Sequence, residues 1–253
     1  MNNEEFLDQL ESGVLRAAIS RDDGTWEVQS EVKQRILKIF KESPLVEFSN
    51  HAEGQFRGFV DKLILEPRAF ELGDQVRMVP GGSSVRRGAH VGKNVVIMPP
   101  SYINIGAYVD ESSMVDSNVL VGSCAQIGKR VHLSAGVQIG GVLEPIGNMP
   151  VIIEDDAFIG GGVILVEGIH VKRGAVVSPG VVLSAAVPIY DAVHETIIKG
   201  YVPENAVVVP GGRPINTDWG LNNRLSIQCG VIIKYKNDKT AASLQLESAL
   251  RKL

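Results

Sequence analysis

The chain has 253 residues, 44% of them hydrophobic and 21% charged, with a formal net charge of −4. This balance excludes the basic footprint of a nucleic-acid binder or a membrane-surface patch, and no apolar run reaches the ~18 residues of a spanning helix. Two cysteines, Cys124 and Cys229, are too few for a disulfide framework or a four-ligand zinc site; with an acidic start lacking the marks of a secretory leader, a cytoplasmic protein is expected.

Residues 1–78 show helical spacing in Phe6, Leu7, Leu10, Val14 and Leu15, and again in Val32, Ile36, Leu37, Ile39 and Phe40. Gly24–Val28 reads as a short extended segment between the two helices. This stretch is expected to form an α-rich N-terminal domain.

Residues 79–200 carry a different signal. Stepping by six from Val85 meets Val91, Ile97, Ile103, Val109, Val115, Val121, Ile127, Leu133 and Ile139, and the register resumes from Ile153 to Ile159, Leu165, Val171, Val177, Leu183 and Ile189. Seventeen aliphatic positions without a miss are far beyond chance when about one residue in four is Ile, Leu or Val. Four residues after most of them stands a small or β-branched residue, such as Val95, Ser101, Ala107 or Val163. A six-residue unit with one large and one small inward residue is a short strand plus a tight corner, and three units close an eighteen-residue coil. The predicted fold is mainly β, a left-handed parallel β-helix of about five coils, ~4.8 Å apart. Glycines directly after the aliphatics, such as Gly92, Gly122 and Gly160, relieve crowding. The step from Ile139 to Ile153 exceeds six by eight residues, so a loop near 140–152 must leave the coil and is a functional candidate. A passive scaffold or ice-binding solenoid would repeat one surface residue along a face, and no such ladder is present.

Residues 201–253 form the third region. Ala206–Val209 and Leu225–Ile233 read as strands and Thr240–Leu253 as an amphipathic helix covering the last edge of the coil.

With the inward positions known, the outward ones can be sorted. Asp116 follows Val115, and His132 precedes Leu133 one coil higher on the same face. Either could be a general base for an amine, although a single outward Asp or His is more often a solvated surface residue. His90 and His170 also point outward, but their spacing with His132 suggests no metal cage, so a zinc hydrase is rejected and no metal is expected. Outward apolar positions, Ile164 and Val119-Leu120, point to burial between subunits.

Several strings are more specific than the repeat. Met98–Glu111 (MPPSYINIGAYVDE), Met114-Val115-Asp116, Val121–Lys129 (VGSCAQIGK), Val131–Ser134 and Ile139–Pro145 (IGGVLEP) resemble the tetrahydrodipicolinate N-succinyltransferases of bacterial lysine biosynthesis. Weaker similarity, including Arg77–Pro80, Val202-Pro203 and Cys229–Lys234, covers most of the chain.

The resemblance implies a homotrimer with active sites between adjacent β-helices. It implies acyl transfer from succinyl-CoA to the amine of an opened cyclic dicarboxylate, without metal. Asp116 matches the family's catalytic aspartate, acting directly or through a water, and Arg77 its substrate-binding arginine, a bidentate partner for a carboxylate. His132 is the second candidate for the base. The family's arginine and catalytic glutamate are replaced here by Gly162 and Ile164. This departure points to a divergent member, for which acetyl-CoA is an alternative donor and a tabtoxin-type pathway one setting, acting on an amino dicarboxylate of the tetrahydrodipicolinate or 2-aminopimelate type. The competing reading is a catalytically impaired relative serving as a binding or scaffold module.

The coenzyme is expected along the later coils, where Gly162 and Gly180 stack eighteen residues apart and leave the backbone open, with Lys234 on a CoA phosphate. Numbering the aliphatics from Val85 as zero makes Val115 the fifth and Leu165 the twelfth, on different faces. Asp116 and the Ile164 region are therefore expected to serve one site from neighbouring subunits.

Overall fold

The structure is a computed structural model and describes residues 1–48 and 59–236. Its centre is a left-handed parallel β-helix in the form of a three-sided prism. Each six-residue unit contributes a two-residue strand whose second residue points inward. Val85, Ile103, Val121, Ile139, Leu165 and Leu183 stack on the first face. Val91, Val109, Ile127, Ile153, Val171 and Val202 stack on the second. The third holds Met78, Ile97, Val115, Leu133, Ile159, Val177 and Val208.

All seventeen aliphatics of the repeat are at most 8% exposed, and the smaller inward residues from Val95 to Val181 are buried with them. This single column of apolar contacts is the core, and it tolerates only one register because a one-residue slip would turn every aliphatic outward. Ile127 pairs with Ile153, so the fourteen-residue step returns to the correct face. Val119 is one of the inward residues, at 2% exposure, which corrects the reading of it as an outward apolar position; Leu120 and Ile164 do face outward.

The prism is longer than the repeat suggested. Arg77–Met78 already forms a strand of the third face, and Tyr201–Val202 and Val207–Val208 extend the second and third. Coil pairing therefore runs from about residue 77 to about residue 208. Tight corners are made by residues with positive φ three positions after an inward aliphatic. The edge between the third and first faces carries Asn118, Gly136, Gly162 and Gly180 at φ of 60°, 74°, 67° and 74°. Glycines directly after an aliphatic serve a different need. A Cβ on Gly160 would lie 2.6 Å from the backbone nitrogen of Pro179 in the next coil.

The N-terminal domain is built on helices α1 (Asn3–Glu11) and α2 (Ser30–Glu42), with two small antiparallel strand pairs beside them. α1 is opened by an Asn2–Glu5 capping box and ends at Glu11, which leaves Val14 exposed rather than on a helical face. Phe6, Leu7, Leu10, Ile36 and Ile39 pack with Ile105 and Cys124 of the prism, seating the domain on the edge between the first and second faces. The ejected loop leaves at this same edge. There Lys33 of α2, fully buried, donates to Asn148 O and Ser30 Oγ donates to Ile146 O at 3.3 Å. Leu143 joins the apolar cluster. The loop is thus tied down within its own chain as part of the domain junction.

Beyond the prism, Ala206–Pro214 and Ser226–Tyr235 form an antiparallel hairpin, and the second strand also pairs with Ile189–Asp191. This covers the upper edge of the third face. The helix expected over 240–253 lies outside the described residues. No helix among the described residues is long and apolar enough to cross a membrane.

Candidate active site

Asp116 directly follows the Met114–Val115 strand, at the edge between the third and first faces. Its backbone N–H donates to Leu133 O at 3.0 Å, which locks it to the coil above. Its carboxylate is half-buried, and Oδ1 accepts the Ser117 N–H at 2.7 Å, while Oδ2 has no hydrogen bond among the described residues. One oxygen is held and the other is left to accept a proton.

Two further predicted residues stand on the same face. Met114 pairs with His132, so the imidazole is one coil above Asp116 and two residues back along the strand, about 8 Å between Cα atoms at ~4.8 Å per coil. Arg77 pairs with Val96, which pairs with Met114, so it lies two coils below His132's neighbour and about 12 Å from Asp116. Arg77 is exposed. A guanidinium side chain spans much of that distance. His132 faces outward as expected, but its ring is stacked on Phe158 at 4.8 Å and is only 9% exposed. Packing on this neighbour in the next coil restricts it more than Asp116.

His90 and His170 belong to the second face, underneath the N-terminal domain. His90 stacks on Tyr108 at 4.3 Å and its Nδ1 donates to Glu11 O at 2.8 Å; burial lowers its pKa. Arg16 lies over the same Tyr108 ring at 3.7 Å and donates to Gln126 at 2.9 Å. His170 Nε2 hydrogen-bonds Glu154 at 2.7 Å. Burial alone would raise the Glu154 carboxyl, but the bonds from His170 and the Arg173 N–H outweigh it and hold its pKa at about 2. His90 thus bonds the N-terminal domain through Glu11, His170 meets the Trp26 ring edge-on at 6.3 Å, and both stand on a different face from His132.

Gly162 and Gly180 stack on the edge next to Asp116, above Asn118 and Gly136. Their left-handed φ is one reason for glycine there, and a Cβ on either would meet nothing within 4 Å, so the strip beside them is open. Lys234 is paired with Val207 at the opposite margin of the third face and does not join the glycines. Ile164 begins the strand on the far side of the shared edge. Asp116 and Ile164 therefore lie on two adjoining faces, with outward directions well apart.

Sequence reasoning did not single out Ser101. Its side chain is buried, and its hydroxyl donates to Asp116 O at 2.7 Å and accepts the Val119 N–H at 3.1 Å. A serine at a position where the four coils above use valine was the available signal.

Residues 150–185 match a family model described as the hexapeptide repeat of succinyl-transferase. A 2,3,4,5-tetrahydropyridine-2,6-dicarboxylate N-succinyltransferase of Rhodopseudomonas palustris is 43% identical over 98% of this chain and 88% of its own length. The chain belongs to the tetrahydrodipicolinate N-succinyltransferase family.

The corresponding enzyme of Acinetobacter baylyi is also 43% identical, over 98% of this chain and 88% of its own. Among solved structures, a Campylobacter jejuni chain described as a candidate 2,3,4,5-tetrahydropyridine-2-carboxylate N-succinyltransferase aligns over 96% of this chain and 64% of its own, at 14% identity and a TM-score of 0.47. As a member of this succinyltransferase family, the protein is an acyl-CoA-dependent N-acyltransferase.

Proposed function

We propose that the protein transfers a succinyl or acetyl group from coenzyme A to the amine of an amino dicarboxylate of the tetrahydrodipicolinate or 2-aminopimelate type. The observation that carries this reading is the alignment of Arg77, Asp116 and His132 on one prism face, beside an edge lined by glycines. Arg77 grips a substrate carboxylate, which brings the amine towards Asp116. Asp116 Oδ2 takes the proton released as the amine attacks the thioester carbonyl, either directly or through a water; the C–N bond forms, the C–S bond breaks, and coenzyme A leaves as the free thiol with that proton. His132 is the reserve base.

The thioester arm runs down the edge past Gly180 and Gly162. From Gly180 to the level of Asn118 is three coil spacings, about 14 Å, so a pantetheine arm laid along this edge reaches the height at which the neighbouring subunit presents its Asp116. Lys234, away from that edge, meets a CoA phosphate only if the nucleotide end crosses the top of the third face. Because Asp116 and Ile164 face in different directions, the site is completed by a neighbouring subunit in a homotrimer, a closed ring of heterologous contacts. With Ile164 and Gly162 in place of charged groups, this part of the wall offers no counter-charge to a succinyl carboxylate, which favours acetyl-CoA.

Purified protein incubated with 2-aminopimelate and either acetyl-CoA or succinyl-CoA, with free thiol as readout, tests the reading. Release with one donor that depends on the amine supports it. Tight CoA binding without release in either mixture would favour the binding-module alternative.

A further inference from the structure

We infer that Ser101 is a positioning residue for Asp116, acting by opening the turn on which that carboxylate sits. The inference rests on Asp116 being the general base.

At the edge between the third and first faces, the upper three turns close in the same way. Val137 N–H donates to Ser134 O, Val163 N–H to Gly160 O, and Val181 N–H to Ser178 O, at 3.2–3.4 Å. At Asp116 the equivalent bond, from Val119 N–H to Asp116 O, is replaced. The Ser101 hydroxyl is inserted between the two groups, donating to Asp116 O at 2.7 Å and accepting from Val119 N–H at 3.1 Å. The turn below is opened likewise, with Ser83 Oγ donating to Met98 O at 3.3 Å and accepting the Ser101 N–H at 3.0 Å.

The geometry gives the insertion a direct route to the carboxylate. The peptide unit between Asp116 and Ser117 has its C=O pinned by Ser101 and its N–H donating to Asp116 Oδ1 at 2.7 Å. Ser101 thus sets the plane of the peptide that holds one carboxylate oxygen. In a closed turn the carbonyl would be drawn towards Val119, the peptide would rotate, and the N–H would swing with it. Packing does not call for serine here, since the same inward column continues with Val119, Val137, Val163 and Val181, all buried. A buried hydroxyl is tolerated because both its donor and its acceptor role are used.

Because valine and threonine have the same shape, the column supplies its own test. Ser101→Val removes the hydroxyl, and Ser101→Thr keeps it in a side chain of equal volume. Asp116→Asn is measured in parallel on full-length protein, with thiol release from acyl-CoA in the presence of 2-aminopimelate. Displacing a base by a fraction of an ångström is expected to lower kcat about tenfold or more in Ser101→Val. The KM for acyl-CoA should be unchanged, and Ser101→Thr should stay within about twofold of the parent. Should Ser101→Val fail to fold, Ser101→Ala takes its place. Parental kcat in the valine or alanine variant, with Asp116→Asn inactive, overturns the positioning role alone. Equal loss in the valine and threonine variants also overturns it, since the hydroxyl is then not the cause. A fully active Asp116→Asn enzyme instead overturns the assignment of the base.

Discussion

Asp116 lies one coil below His132, with its backbone N–H bonded to Leu133 O at 3.0 Å, so that the two side chains share the outer surface of one sheet. They are not equivalent there. Asp116 keeps one carboxylate oxygen uncommitted, whereas the His132 ring is pressed against Phe158. A base must reach the proton it removes before its basicity matters. Access therefore ranks Asp116 first and His132 second.

Replacing Asp116 by Asn should lower turnover by ~10²-fold or more with little change in stability, because only an outward oxygen is exchanged. Steady-state acyl transfer and a thermal melt measure the two effects. If turnover survives, His132→Gln becomes the decisive variant.

Arg77 is exposed and stands two coils below the centre of the site. Arg77→Ala should raise the KM for the amino dicarboxylate with a smaller effect on kcat, and Arg77→Lys should restore the charge but not the bidentate grip. An unchanged KM would remove the arginine from the substrate's path.

Ile127 is fully buried between Val109 and Ile153 in the second-face column. An unpaired carboxylate there costs several kcal/mol, and Ile127→Asp should abolish the cooperative thermal transition. A folded Ile127→Asp protein, seen by circular dichroism, would contradict a single stacked core.

Hybrid assemblies address the shared site. Gly162→Trp places a bulky side chain on the open strip, at a positive φ that costs about 1–2 kcal/mol for a non-glycine residue. Neither it nor Asp116→Asn should be active alone. Mixed trimers should regain part of the activity, because some sites combine an intact Asp116 with an intact glycine edge. No rescue in hybrids verified by mass would place the whole site in one chain.

Acid should loosen the N-terminal domain through Glu154. Glu154 accepts the Trp26 Nε1–H of the N-terminal domain at 3.4 Å, and its carboxyl is held at about 2, below the usual value, by the bonds from His170, the Arg173 N–H and Trp26. A group with a depressed folded pKa adds stability above its unfolded value of about 4.5, and this contribution is lost as pH falls towards 2. The melting temperature should therefore drop between about pH 5 and pH 2, more steeply in the parent than in Glu154→Gln.

The amino-acid sequence by itself determined the prism, its inward residues, and the face on which each outward group stands. Burial of one aliphatic every six residues leaves a single register, so counting from Val85 is enough to put Asp116 and His132 together and to separate both from Ile164. It also showed the two terminal strands and the helices around Phe6 and Ile36. What periodicity cannot record is which outward group meets which. His90 and His170 look the same in sequence as His132, and only the docking of α1 and of the segment around Trp26 against the second face consigns them to a domain junction. The loop after Ile139 looked free until Lys33, more than a hundred residues earlier, was found bonded to Asn148. Ser101 is one inward small residue among many. Its role depends on a hydroxyl entering the turn of the next coil, a hydrogen-bond choice that exists only once two coils are stacked, and the tertiary structure alone decided it.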